Sequence, residues 1–213
     1  MITIKTLVYN PYQENTYILS DENGACAIID PGMYGKEEED TLVAFLNSNG
    51  FTPKLLLNTH CHVDHVLGNR FVFEQYGLIP QFHEGELTLL MEVQNYAPQM
   101  GFRYEVSPVP DTFLMPGDVI SLGEHQLTCL FAPGHSPGHL CFYSEAQGFL
   151  IGGDVLFKGS IGRTDLPGGD HQQLLNSIRE TIYTLPGETI VYPGHGAATT
   201  IAEEKLSNAF IRG

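Results

Sequence analysis

A run of metal-binding residue types at His60–His65 constrains this chain more than any other feature of its sequence. The run reads HCHVDH, three imidazoles and a carboxylate within six residues, directly after a short apolar segment that we predict to be a strand. Packing does not explain it, because clustered polar groups each need a hydrogen-bond partner. Residues two apart in an extended segment point to the same side, so we expect His60 and His62 to converge on one ion. Asp64 and His65 then face a second ion, where the chain turns into a helix.

Three further potential ligands stand elsewhere in the chain. His135, Asp154 and His195 each come just after a predicted strand, beside Gly or Pro residues that allow a sharp turn. Four strand ends therefore deliver seven nitrogen or carboxylate ligands, which suits a centre of two ions. Mixed nitrogen and oxygen ligation fits zinc and also allows iron or manganese.

Apolar runs rich in β-branched residues alternate with segments of helical periodicity along the whole chain. The predicted strands are Ile2–Tyr9, Thr16–Ser20, Ala25–Ile29, Lys54–Asn58, Ile79–His83, Val119–Leu122, Gln126–Ala132, Leu140–Ser144, Phe149–Ile151 and Thr189–Tyr192. The predicted helices are Lys36–Asn49, Val66–Tyr76, Gly85–Tyr96, Gln172–Thr184 and Ile201–Phe210. This alternation favours a layered α/β or mixed architecture. No Pro/Ser-rich linker divides the sequence, so we expect a single domain over residues 1–213.

The composition excludes several classes of partner. Twenty-five acidic residues against ten basic ones leave a net charge of −15. This argues against nucleic acid or an anionic membrane as partner, because binding phosphates needs a basic surface. The sequence starts without an apolar signal region and contains no run of 18 apolar residues, so we expect a cytoplasmic protein that does not span a membrane. The four cysteines form no C-x-x-C pair, which speaks against a disulfide framework or a zinc ribbon.

These motifs resemble those of the metallo-β-lactamase superfamily. The H-x-H-x-D-H motif of that family stands here at His60–His65, and its later His, Asp and His match His135, Asp154 and His195. The resemblance covers essentially the whole chain. It implies an α+β fold, a four-layer αβ/βα sandwich with the metals at one edge of its two sheets.

The resemblance also implies a role for each ligand. His60, His62 and His135 would bind one metal, and Asp64, His65 and His195 would bind the other. Asp154 would bridge the two ions. Two divalent cations, zinc in the first place, are therefore the expected cofactors.

Within the superfamily, the segment Gly159–Asp165 (GSIGRTD) looks most like the glyoxalase II and persulfide dioxygenase branches. The sequence YPGHG around His195 looks closer to small bacterial glyoxalase II-like proteins. The resemblance implies hydrolysis of a 2-hydroxyacyl thioester by a metal-bound hydroxide that Asp64 orients. Arg163, and after it Lys158, would bind the anionic part of this small-molecule substrate.

Some alternatives stay open at this stage. Only residues 196–213 follow His195, whereas full-length glyoxalase II enzymes carry a C-terminal helical domain with much of the glutathione site. The thiol carrier is therefore not fixed. A persulfide dioxygenase would use one iron on two histidines and an aspartate, drawn from His60, His62, His135 and Asp154. A lactonase or β-lactamase is a third option, and for Arg163 the alternative role is a salt bridge with a nearby aspartate.

The sequence Gly134–Gly138 (GHSPG) also matches the nucleophile elbow G-x-S-x-G. In that motif the residue after the serine donates its backbone N–H to the oxyanion, and Pro137 has no N–H to donate. A serine hydrolase is therefore excluded. His139 follows this segment at the start of a predicted strand, where we expect it to support a ligand rather than to bind metal.

Overall fold

The computed structural model describes residues 1–213. Its hydrophobic strands form two main sheets. The first sheet contains β1 (Thr3–Tyr9), β2 (Glu14–Ser20), β3 (Ala25–Ile29) and β4 (Thr52–Leu57), in that order. β1, β2 and β3 are antiparallel neighbours, whereas β3 and β4 run parallel. The turn between β2 and β3 is held by Asp21, whose Oδ1 accepts hydrogen bonds from the N–H groups of Asn23 and Ala25.

The second sheet has six strands. They are β5 (Val119–Leu122), β6 (His125–Phe131), β7 (Leu140–Ser144), β8 (Phe149–Gly153), β11 (Ile190–Pro193) and β12 (Thr199–Thr200), in the spatial order β12-β11-β8-β7-β6-β5. β8 and β11 are parallel, and the other neighbours are antiparallel. A small separate ribbon consists of β9 (Leu156–Phe157) and β10 (Ser160–Ile161).

Six α-helices connect or follow these strands. They are α1 (Lys36–Asn49), α2 (Val63–Val66), α3 (Asn69–Tyr76), α4 (Leu87–Tyr96), α5 (His171–Glu180) and α6 (Ile201–Ser207), with 3-10 turns at Glu84–Glu86, Ala97–Met100 and Ile182–Thr184. None of these helices combines the length and apolarity needed to cross a lipid bilayer.

The buried side chains lie in the layers that this arrangement creates. Leu57 of the first sheet and Phe142 of the second share one core between the sheets. Leu42 of α1 packs in a cluster with the outer face of the first sheet, and Leu174 of α5 packs in a cluster with that of the second. The predicted four-layer αβ/βα sandwich is therefore confirmed.

Strand direction brings the predicted ligands to one edge of the sandwich. β3 and β4 run parallel and end together, as do β8 and β11, and the start of β7 lies beside the end of β8. Two backbone hydrogen bonds join the sheets at this edge: Leu140 N–H donates to Thr59 O at 2.9 Å, and Asn15 N–H donates to Gly194 O at 2.7 Å. These bonds hold the loop after β4 against the start of β7, and the loop after β11 against β2.

Several predicted elements differ from those observed. The predicted strand Ile79–His83 is wrong: only Gln81 pairs, through a single bridge to Leu57. Pro80 explains this, because proline has no N–H to extend the ladder. The helix predicted at Val66–Tyr76 starts later, as α3 at Asn69. Val66 is instead the last residue of α2, and Gly68 between the two helices donates its N–H to Pro31 O at 2.7 Å.

The two C-terminal helices are shorter than predicted. The helix predicted at Gln172–Thr184 ends at Glu180 and continues as a 3-10 turn, and the last helix ends at Ser207 rather than Phe210. Asn208 ends α6, because its Oδ1 accepts a hydrogen bond from the Phe210 N–H. The short strands β9, β10 and β12 were not predicted, since two residues carry no periodicity.

Candidate metal centre

The first group of donors consists of His60, His62 and His135, which are all buried. Two of them come from the loop after β4, and the third comes from the loop after β6. Nε2 of His135 lies 3.3 Å from Nε2 of His60 and 2.8 Å from Nδ1 of His62. Imidazole nitrogens that bind one zinc ion each lie about 2.0–2.1 Å from it. Two such nitrogens are separated by distances like those between the nitrogens of His135, His60 and His62. These three side chains are therefore close enough to hold one ion.

The second group consists of Asp64, His65 and His195. Oδ2 of Asp64 lies 3.2 Å from Nε2 of His195 and 3.7 Å from Nε2 of His65. Asp64 and His65 belong to α2, which starts directly after His62. The turn from extended chain to helix thus separates the donors of HCHVDH into two groups, as the sequence predicted.

Asp154 lies between the two groups. Its Oδ2 is 3.6 Å from Nε2 of His135 in the first group and 3.6 Å from Nε2 of His195 in the second. Its Oδ1 is 3.6 Å from Nε2 of His65. All seven residues predicted as ligands therefore converge at one place, with a carboxylate in the position of a bridge.

Two buried atoms in this cluster show that the donors fit divalent cations. Nε2 of His65 and Oδ1 of Asp154 are buried and have no hydrogen-bond partner. A buried polar atom without a partner is costly, and in native proteins it calls for an explanation such as an ion. Both atoms face the interior of the cluster. A divalent cation there would replace the proton that the neighbouring carboxylates favour on His65, whose pKa they raise despite burial, and would satisfy the Asp154 oxygen.

Hydrogen bonds behind the histidines direct their Nε2 atoms into the cluster. Nδ1 of His135 donates to Arg163 O at 2.8 Å, and Nδ1 of His195 donates to Tyr12 O at 3.1 Å. Carbonyl oxygens only accept, so each Nδ1 carries the proton. In the neutral form of each ring, Nε2 is left with a lone pair that faces the other donors, which is the arrangement common for metal-binding histidines.

The buried carboxylate of Asp30 performs the same task for two other histidines. It accepts hydrogen bonds from the Thr59 N–H at 2.7 Å, the Thr59 hydroxyl at 2.6 Å and Nδ1 of His65 at 3.2 Å. Because the Thr59 hydroxyl gives its hydrogen to Asp30, its oxygen accepts from Nδ1 of His60 at 3.0 Å. Sequence analysis did not identify Asp30.

His139 lies behind the bridge position, as expected. Its Nε2 accepts a hydrogen bond from the backbone N–H of Asp154 at 3.1 Å, and its ring stacks on His60 with 4.9 Å between centroids. It thus contacts one residue of the cluster through the backbone and another through its ring. Nε2 of His139 therefore faces the Asp154 backbone rather than the seven donor side chains.

Burial and neighbouring charges give the two groups different electrostatics. Burial, with a contribution from His135, lowers the pKa of His62 to about 3, and burial is also the main cause that lowers the pKa of His135 to about 4. Burial of Asp64 opposes ionisation, but His65 and His195 outweigh it and hold its pKa below the ordinary value. The first group is therefore neutral, while the second group pairs a carboxylate with imidazoles.

The cluster lies at the bottom of a cleft of about 470 Å³. Apart from the donors, the cleft is lined by Tyr12, Met100, Phe157, Ser160, Ile161, Arg163 and Leu166. Most of these residues are apolar. An organic ligand would therefore contact an apolar wall on its way to the donors.

The two residues predicted to bind substrate lie in different places. Arg163 lines the cleft, and its guanidinium forms two hydrogen bonds with the Asp165 carboxylate, at 2.7 and 2.8 Å. Both side chains of this pair are exposed. Lys158 is not among the residues that line the cleft, and its ammonium lies 3.7 Å from a Glu203 oxygen.

Comparison with known proteins identifies the family. Residues 9–195 match the family model of the Metallo-beta-lactamase superfamily, and the chain belongs to this superfamily. It is 37% identical over 204 residues to the probable metallo-hydrolase YqgX of Bacillus subtilis (strain 168), an alignment that covers 95% of this chain and 94% of that protein. It is 34% identical over 212 residues to the hydroxyacylglutathione hydrolase GloC of Haemophilus influenzae, with 99% of this chain and 98% of GloC covered.

Solved structures agree with this assignment. The BLEG-1 B3 metallo-beta-lactamase superimposes with a TM-score of 0.90 at 34% identity, covering 99% of this chain and 100% of that chain. TTHA1623 in a di-iron-bound form superimposes with a TM-score of 0.87 at 35% identity, covering 97% of this chain and 100% of that chain. The predicted membership of the superfamily is confirmed.

The electrostatics of the first group predict a specific pH behaviour. In chelator-treated protein at about pH 5, His62 and His135 should remain neutral, because their pKa values of about 3 and about 4 lie below that pH. His195 should be protonated there, since its pKa is raised despite burial, chiefly by its hydrogen bond with Asp64. Two-bond ¹H–¹⁵N NMR spectra report both states. If His62 and His135 became protonated near pH 6.5, the ordinary histidine pKa being about 6.5, the lowered pKa values would be wrong.

Proposed function

We propose that this protein is a metal-dependent hydrolase that cleaves a 2-hydroxyacyl thioester, a substrate class suggested by the name of its relative GloC, a hydroxyacylglutathione hydrolase. The observation that carries the proposal is the pair of donor groups that share Asp154 at the bottom of an open cleft. The similarity to GloC, which extends over nearly the full length of both chains, supports the thioester as substrate.

The proposal assigns two divalent cations to the cluster. One would be held by His60, His62 and His135, the other by Asp64, His65 and His195, with Asp154 between them. Zinc is the proposed metal, because the donor set of imidazoles and carboxylates suits it. Iron is the alternative, supported by the di-iron form of TTHA1623, and manganese would accept the same ligands.

Bound cations would supply a water of lowered pKa and an electrophile that polarises the thioester carbonyl. The chain itself supplies Asp64, whose depressed pKa keeps it ionised, so that it can accept a hydrogen bond from the attacking water and orient it. The leaving group is a thiolate, and thiols have a pKa of about 8.5, so it departs without a strong acid. This agrees with a cleft whose only carboxyl groups are Asp64 and Asp154.

Arg163 is the proposed contact for the anionic part of the substrate. It lines the cleft, and its pairing with Asp165 does not prevent this role, because exposed ion pairs contribute only about 0–1 kcal/mol. A substrate carboxylate can therefore replace Asp165 as the partner. A role for Lys158 stays a prediction, and its present partner is Glu203.

A second candidate function is hydrolysis of β-lactams. It is favoured by the similarity to the BLEG-1 B3 metallo-beta-lactamase, which is as close in sequence as GloC. The same donor groups would serve, because both reactions place water on a carbonyl carbon. A persulfide dioxygenase, predicted as an alternative from Gly159–Asp165, would consume oxygen instead.

The direct test is the release of thiol from S-lactoylglutathione by protein loaded separately with Zn²⁺ and Fe²⁺. We expect metal-dependent release, with none from chelator-treated protein or from a His60→Ala variant, which loses a donor of the first group. Hydrolysis of a β-lactam without thiol release would favour the second candidate. Oxygen uptake with glutathione persulfide and no thiol release would replace both with the dioxygenase.

The contact with the anionic part of the substrate is tested by removing one basic side chain at a time. Arg163→Ala should raise KM for S-lactoylglutathione about tenfold with little change in kcat, as expected for loss of a charged hydrogen bond. Lys205→Ala, which removes an equal charge on α6, is the matched control and should leave KM unchanged. A rise in KM for Lys158→Ala, but not for Arg163→Ala, would move the anion site to Lys158.

A further inference from the structure

Glu86 is a fully buried carboxylate outside the donor cluster. It ends the 3-10 turn at Glu84–Glu86, directly before α4. Its Oε2 accepts a hydrogen bond from the Cys61 N–H at 2.8 Å, and its Oε1 accepts one from the Gly138 N–H at 2.6 Å. Burying a carboxylate is costly, so its two partners show what the side chain does there.

Both partners belong to the segments that supply the first donor group. Cys61 stands between His60 and His62, and Gly138 follows His135 by three residues. One carboxylate thus joins the loop after β4 to the loop after β6. Neither hydrogen bond goes to a backbone N–H of the second donor group, Asp64, His65 and His195.

The backbone around Glu86 is shaped for this close approach. A Cβ atom added to Gly138 would lie 2.8 Å from the Glu86 nitrogen and 2.9 Å from the Gly85 carbonyl carbon. A Cβ atom added to Gly85 would lie 2.9 Å from the Gly138 Cα. Separations this short do not occur between real side chains and backbone, so two glycines are needed where the turn meets the loop. His83 fixes the turn from its other side, since its Nδ1 accepts a hydrogen bond from the Gly85 N–H.

We propose that Glu86 is a positioning residue for the first metal, because it sets the spacing between the His60–His62 loop and the His135 loop. Its two oxygens hold the loops through backbone N–H groups, and Glu86 is not among the residues that would bind the ion. Removing a direct hydrogen-bond partner of a metal ligand commonly weakens metal binding about 10- to 100-fold, and Glu86 holds the residues beside the ligands, so we expect a loss at the lower end, about tenfold. The loss should therefore fall on the first donor group and spare the second.

Glu86 would act on the metal centre, so its role does not depend on the substrate. A failure of the thioester assay would leave this role standing, because its test measures metal affinity rather than turnover. A purely structural glutamate would lower the thermal stability without distinguishing the two donor groups. The Zn²⁺ affinity of each donor group must therefore be measured separately.

The test uses Glu86→Gln in two backgrounds, each with one donor group disabled. His195→Ala leaves the first group to bind Zn²⁺, and His135→Ala leaves the second, with affinities measured by competition against a chromophoric chelator. In the His195→Ala background, Glu86→Gln should weaken binding about tenfold, the lower end of the range for direct partners of metal ligands. In the His135→Ala background the affinity should stay within about twofold, because Glu86 accepts no hydrogen bond from Asp64, His65 or His195 and therefore shares no partner with the second group.

Glu204→Gln is the matched control. Glu204 is also fully buried and also accepts a backbone N–H, from Gly159 at 2.9 Å, but it lies on α6 and contacts none of the seven donors. It should leave the Zn²⁺ affinity unchanged in both backgrounds. If Glu86→Gln does not fold, Glu86→Asp carries the test, because the shorter side chain keeps the charge but cannot reach both N–H groups. Equal weakening in both backgrounds, or none in either, would overturn the proposal.

Discussion

The buried carboxylate of Asp30 is the interaction on which the arrangement of the site depends. It accepts hydrogen bonds from the backbone N–H and the hydroxyl of Thr59 and from Nδ1 of His65. Through Thr59 it also orients His60. One acceptor at the end of β3 thus aligns a histidine of each donor group and binds the neighbouring strand end of β4. Without it, two imidazoles would lose the partner that turns their lone pairs toward each other.

The same principle recurs across the edge of the sandwich. Glu86 holds backbone groups of two loops, and carbonyl oxygens of Tyr12 and Arg163 hold His195 and His135. The donors are thus fixed by acceptors behind them, which explains how imidazoles and carboxylates stay together in a buried cluster. A divalent cation at the centre would satisfy the lone pairs that remain. It would also offset the charge of the Asp64 and Asp154 carboxylates, in a chain with a net charge of −15.

Sequence analysis predicted the layered fold and the convergence of seven donors, because a dense HCHVDH motif and residues placed just after strands are visible without a structure. It missed Asp30, although the segment Ile29–Gly32 resembles the segments at His135 and His195, with a Pro-Gly pair at the end of a strand. It also missed Glu86, which no pattern marks, since an acid at a helix start resembles many exposed ones. Contacts between distant segments decide such roles, and a linear sequence does not display them.

Two donor groups that share Asp154 should hold two ions side by side. We would locate them by X-ray diffraction from crystals of the zinc-loaded protein, recorded on both sides of the zinc absorption edge. We expect two anomalous peaks about 3.5–4 Å apart, one beside His60, His62 and His135 and the other beside Asp64, His65 and His195, with Asp154 between them. A single peak, or a peak away from these residues, would contradict this arrangement.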